Sequence, residues 1–321
     1  MKYVLAPLAG FTDAPFRRMC FEGGADLSYT EMVSAAGLAH GSSPTRHLLE
    51  TMPGEGPVAC QIFGAKESDI AYATQVVEEL VSRTLNEGYP ARFVELNLNA
   101  GCPMTKVTRE GAGAKLVESP ERIHRLLKAM VENTSLPVTL KTRLGPHPQR
   151  TNVLEILDAA ESAGAKGIII HARYTSQMHG GPVHLDVLRE VVERARIPVT
   201  GNGSVTDAKS AAAMAATGVD AIMIGRAALS NPGIFSTLKG EDARRGAKDD
   251  FRRHLDSLLE FREQLAAHFP HDHIPSPDAF ASVKMHVHLF RYFNGRPGAA
   301  ELRKRLNTVR TLAEIEAIVP S

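Results

Sequence analysis

Short apolar, β-branched runs alternate with stretches of helical periodicity from the first residues to about position 240. The runs fall at 3–9, 27–31, 57–63, 93–98, 137–141, 167–171, 198–201 and 220–224. Helical spacing fills intervals such as 67–83, 121–132, 152–163, 185–195 and 206–216. Thr206 and Asp207 suit a helix start and Gly218 its end. Alternating βα units imply parallel pairing. Eight of them in about 240 residues predict an α/β fold, a closed (β/α)8 TIM barrel over 1–240, rather than an open doubly wound sheet.

The pattern changes near Gly240. A charged stretch, 240–250, reads as exposed, and helical spacing resumes at 251–269, 278–293, 298–309 and 312–318. A small C-terminal helical domain is therefore expected over 247–321. Composition is that of a soluble globular chain, with 43% hydrophobic and 23% charged residues. The net charge of +1 excludes a general polycation, so contact with nucleic acid would need local clustering. Such a cluster exists: Lys284, Arg291, Arg296, Arg303, Lys304, Arg305 and Arg310 stand against Glu301, whereas 247–283 is net acidic. It reads as a phosphate-binding surface, with a solvated helix face as the plainer alternative. Tyr292 and Phe293 read as core.

Three cysteines without a CxxC spacing argue against a disulfide framework and a cysteine-based zinc site, and no metal is expected. Cys20 and Cys60 sit in apolar settings and read as packing residues. Sparse cysteine suggests a reducing compartment, the cytoplasm. The opening is too soon broken by Pro and Gly for a signal peptide, and no run of 18 apolar residues is present to span a membrane.

Barrel enzymes place their chemistry at the carboxyl ends of the strands. Here those ends carry Pro7, Glu31, Gln61, Asn97, Asn99, Lys141, Arg143, His171, Arg173, Asn202 and Arg226, with Cys102 just beyond. The loops after strands 7 and 8, GNGSV and GRAAL, suit a phosphate held by backbone N–H groups and Arg226. No GxGxxG follows strand 1 and no GxxxxGK[ST] occurs, which favours a singly phosphorylated cofactor over a dinucleotide or a nucleoside triphosphate. Lys141 has three readings: a Schiff base, a phosphate contact, or a charge that stabilises a reduced flavin. Cys102, between Gly101 and Pro103, is a nucleophile or a proton donor.

The stretch LNLNAGCPMTKVTREGAGAKL at 96–116 resembles the signature of the tRNA-dihydrouridine synthases. APLAGFTDAPFR, TEM, CQIFG, LKTRLG, IHAR, GNGSV and MIGRAAL support the likeness along the barrel; over the tail it is weaker. The resemblance implies reduction of the C5–C6 double bond of uridines in tRNA, with FMN reduced by NADPH or NADH. It implies Cys102 as proton donor to C5. Pro7, Leu8, Ala9, Gln61, Lys141 and His171 would contact the flavin, and Asn202, Gly203, Ser204, Gly225 and Arg226 its phosphate. Asn99 and Arg173 would lie near an extruded uridine, and Lys284, Arg291, Arg303, Lys304 and Arg305 would meet RNA. Ser204 and Ala172 depart from the commonest family residues and leave the target uridine open. A monomer without an obligate protein partner is expected. Competing readings are an FMN oxidoreductase for a free pyrimidine, a synthase acting on ribosomal RNA, an aldolase using Lys141, and a non-catalytic RNA-binding scaffold.

Overall fold

The computed structural model describes residues 1–87, 93–241, 246–293, 299–306 and 308–318. Its strands are β1 (Lys2–Leu5), β2 (Ser28–Tyr29), β3 (Val33–Ser34), β4 (Val58–Phe63), β5 (Phe93–Asn99), β6 (Val138–Arg143), β7 (Gly167–His171), β8 (Val199–Asn202) and β9 (Ala221–Ile224). They form one sheet in the order β1-β9-β8-β7-β6-β5-β4-β2, with β3 also on β4. Pairing is parallel throughout, as short strands separated by helices require. A parallel bridge between Val4 and Leu27 brings the two ends of the sheet together. The expected (β/α)8 barrel is the observed architecture, followed by a helical tail.

Two apolar runs are shorter as strands than as patterns. β1 stops at Leu5 because Pro7 has no N–H to donate. Residues 7–10 instead form a rim loop, held where Leu8 N–H donates to Thr12 Oγ1 (3.0 Å). The second run splits into β2 and β3, and between them Glu31 turns its carboxylate to the Gly10 N–H. The lumen is lined by Val4, Ala6, Tyr29, Ala59, Ile169 and Met223. A larger apolar layer lies between the strands and the surrounding helices.

The tail helices are Ala247–His268, Pro277–Phe293, Ala299–Leu306 and Leu312–Ile318. Their core includes Phe251, Leu258, Leu289 and Tyr292, and it is continuous with Ala14, Met19 and Met52 from the barrel side. Helix Ala14–Glu22, which the periodicity did not single out, is the joint between the two halves. Arg18 crosses it to Ser257 Oγ (2.6 Å) and Glu260 (2.8 Å). Arg17, 1% exposed, pairs with fully buried Glu55 and also donates to the Thr12 and Glu50 carbonyls. Cys20 and Cys60 are fully buried, as their apolar settings imply.

Candidate functional site

The strand ends open on a cavity of about 970 Å³. Fifteen of the residues picked out in the sequence line it: Pro7, Leu8, Ala9, Asn99, Cys102, Lys141, Arg143, His171, Arg173, Asn202, Gly203, Ser204, Gly225, Arg226 and Arg291. Strand ends converge because barrel closure points every carboxyl end the same way.

Cys102 is half-buried on a loop tied down by Asn99, whose Oδ1 accepts from the N–H groups of Gly101 (3.1 Å) and Cys102 (3.0 Å). Asn99 Nδ2 donates to Gln61 Oε1 (2.8 Å), Gln61 Nε2 to Asn97 Oδ1 (2.7 Å), and Asn97 Nδ2 to Thr139 Oγ1 (2.7 Å). Thr139 donates to Glu95 (2.5 Å), as does Tyr29 (2.8 Å). Every link runs the same way, from the cysteine loop down to one carboxylate in the barrel. Such a ladder leaves each amide a single orientation. Gln61 is therefore fully buried beneath the cavity rather than lining it.

Arg143, a strand-end residue to which the sequence assigned no role, holds the cysteine loop. Its Nε donates to the Gly101 carbonyl (2.7 Å) and its Nη1 to those of Met178 (2.8 Å) and Tyr174 (3.2 Å). Burial, against the opposing pull of Cys102, brings its pKa down to about 10. Lys141 donates to Asn202 Oδ1 (3.2 Å), and Asn202 Nδ2 to the Met223 carbonyl (2.9 Å). Burial, and then the Arg143 charge, bring the Lys141 ammonium down to about 7. His171 is held neutral by burial and by the charges of Lys141, Arg143 and Arg173, with Arg173 Nη1 3.2 Å from its Nε2. His179, missed in the sequence, stacks 6.1 Å from it. The wall is strongly cationic.

A family model described as dihydrouridine synthase matches residues 4–320. The chain belongs to the dihydrouridine synthase family. It is 35% identical over 239 residues to tRNA-dihydrouridine synthase B of Klebsiella pneumoniae, covering 74% of this chain and 71% of that one. To the protein of that name in Escherichia coli strain K12 it is 30% identical, covering 99% and 94%.

In this family member the far end of the cavity is a backbone concavity. Gly203 (φ 131°) and Ser204 (φ 55°) are consecutive left-handed residues, and a side chain at 203 would meet Val183 at 2.9 Å and His171 at 3.1 Å. Among the described residues the N–H groups of Ser204 and Arg226 find no carbonyl or side-chain acceptor. Successive N–H groups in such a turn form an anion nest.

Several expected contacts fall elsewhere. Arg173 lines the cavity, but its guanidinium bridges the Gly181 carbonyl (2.8 Å) and Ser204 Oγ (2.6 Å), which braces the nest. Lys284 lies between Asp13 (3.6 Å) and Glu31 (3.8 Å), so it is an internal ion-pair partner instead of a free phosphate contact. Burial pulls its pKa down, yet Asp13 and Glu31 together raise it above the ordinary value. Arg291 reaches the cavity over the ring of Phe11 (5.6 Å). Lys304 and Arg305 are exposed on helix Ala299–Leu306, away from the cavity. The side chain of Arg303 and the whole of Arg296 lie outside the described residues. Among the described residues, no helix is long and apolar enough to cross a membrane.

Proposed function

We propose that the chain reduces the C5–C6 double bond of uridines in tRNA to 5,6-dihydrouridine, with FMN, NADPH or NADH as reductant, and Cys102 as proton donor. The observation that carries this reading is one cavity lined together by the Cys102 thiol, Lys141, His171 and the anion nest of Gly203–Ser204. The residues present fit FMN: the nest at Gly203–Ser204 and Arg226 suits a monophosphate, and the volume is in the range of ligand pockets. Pro7, Leu8 and Ala9 would edge the isoalloxazine ring, with Gln61 acting from below through Asn99.

Bound FMN would supply the hydride for C6 of uracil. Cys102 then delivers the proton to C5, and its thiolate is left to be reprotonated from solvent. Charge develops toward O4 and C5 as hydride arrives, so a positioned acid lowers the barrier. Asn99 and Arg143 hold the loop that aims the thiol, each through a hydrogen bond to its backbone. Lys141, poised near neutrality by burial, takes up a proton where negative charge accumulates beside it. A uridine in folded RNA must be extruded to enter. Residues 1–240 would carry the chemistry, and the exposed Lys304 and Arg305 of the 247–321 tail would meet phosphates in the cell's tRNA.

The test is a deletion strain complemented with this gene. Nucleotide-by-nucleotide mapping should show dihydrouridines in tRNA that vanish on deletion. Purified protein should be yellow and bleached by NADPH or NADH. An unchanged map with rapid turnover of free uracil would favour the small-molecule oxidoreductase instead.

A further inference from the structure

A second set of ligating side chains lies outside the cavity, where the tail meets the barrel. Asp13 caps helix Ala14–Glu22; His254 is on helix Ala247–His268 and His288 on helix Pro277–Phe293. One ligand atom from each lies within 4.8 Å of the other two. Both imidazoles are 0% exposed and Asp13 is 5% exposed.

The hydrogen bonds around these groups leave several buried polar atoms without partners close to one another. The Tyr292 hydroxyl lies 3.1 Å from His254 Nδ1 and 3.8 Å from Met19 Sδ. His254 Nε2 faces Asp13 Oδ1 from 3.9 Å, beyond hydrogen-bond reach, and has no hydrogen-bond partner among the described residues. Neither ring nitrogen of His288 has a hydrogen-bond partner among the described residues, nor does Asp13 Oδ2. Buried polar atoms left unpaired are costly, and a cation satisfies all three ligands together. Positive charge nearby comes from Lys284, which two carboxylates, Asp13 and Glu31, offset, and from Arg291 over the Phe11 ring.

We propose that Asp13, His254 and His288 form a structural site for a divalent transition metal of the zinc or iron(II) class, clamping the helical tail to the barrel. Two imidazoles and a carboxylate suit such ions. The Tyr292–His254 contact is the outer hydrogen bond that orients a ligating imidazole. With bonds of about 2.0–2.1 Å the ligand atoms would stand roughly 3.3 Å apart, so atoms that now lie within 4.8 Å of one another close by up to about 1.5 Å on the ion. The three ligands are far apart in sequence, so metal loss would loosen the junction and leave each half's own core in place. The site stands independently of the reaction proposed for the cavity.

Tag-free full-length protein is stripped with chelator, shown to be folded by circular dichroism, and titrated with Co(II) and then Zn(II). The expected result is one equivalent bound, visible d–d bands that Zn(II) displaces, and a melting temperature that rises with Zn(II). His254→Gln and His288→Gln should abolish the bands. Asp13→Asn, which keeps the helix cap, should weaken or shift them. Folded wild-type protein that binds neither ion stoichiometrically would overturn the proposal. So would bands that persist unchanged in Asp13→Asn, a result that holds even if the histidine variants fail to fold.

Discussion

The cavity rim and the barrel–tail junction are both built from buried charge, and they handle it in opposite ways. At the rim, Lys141, Arg143, Arg173 and Arg226 gather around a cavity that holds no carboxylate among its described lining residues. At the junction three buried or half-buried cations meet acids: Arg17 with Glu55, Lys284 with Asp13 and Glu31, Arg18 with Glu260. Compensated charge fixes the two halves of the molecule together. Burial, and after it the uncompensated Arg143 charge, lowers the pKa of Lys141, and an arriving anion relieves that charge. The balance of charge, rather than its amount, separates the place that binds from the place that holds.

That contrast can be broken most sharply at the thiol. Cys102→Ala should cut tRNA reduction by about 10²–10⁴-fold, the usual worth of a positioned acid, while the purified protein keeps its flavin colour. Single-turnover reoxidation of the reduced enzyme by tRNA would read this. At the junction, Arg17→Met leaves Glu55 buried and alone and should cost about 3–5 kcal/mol in denaturant unfolding. A loss below 1 kcal/mol would mean that the pair is replaceable packing.

Gly203→Ala tests the nest. A side chain there is strained and crowded, by about 1–3 kcal/mol, so flavin affinity should fall about ten- to a hundredfold, measured by fluorescence titration.

Lys141 gives the rim a pH signature. Its folded pKa of about 7 lies below the unfolded 10.5, so between these values the unfolded chain binds more protons. Flavin-free protein should therefore gain stability as pH rises from about 7 towards 10.5, and lose that gain on acidification. Lys141→Met should flatten the slope in urea titrations at several pH values. The smallest effect is expected at the tail: Lys304→Ala and Arg305→Ala should each lower the salt dependence of tRNA binding by about one unit of slope.

Hydrophobic alternation was enough to read the barrel, since a parallel strand buried on both faces must be apolar and short. Closure then brought the strand-end residues together, because their register follows from period and length. The C-terminal helices were legible for the same reason, from 3.6-residue spacing. What escaped was whatever depends on two distant segments meeting. Arg143 was visible as a strand-end residue, but its grip on the Gly101 carbonyl is a tertiary contact. His179 sits in a loop with no periodicity to mark it. Lys284 was counted with the basic tail because sequence records its charge and not its partners, which lie more than 250 positions earlier.

The sequence by itself determined the fold, the family and the ring of polar groups around the rim, for these are written in local period and in motif order. Tertiary structure alone decided which charges are spent on each other and which remain for a ligand. It also brought Asp13, His254 and His288 within 4.8 Å. The physical reason is that pairing is a property of distance in space, and a chain of this length can satisfy its local patterns while leaving that distance to the packing of its halves.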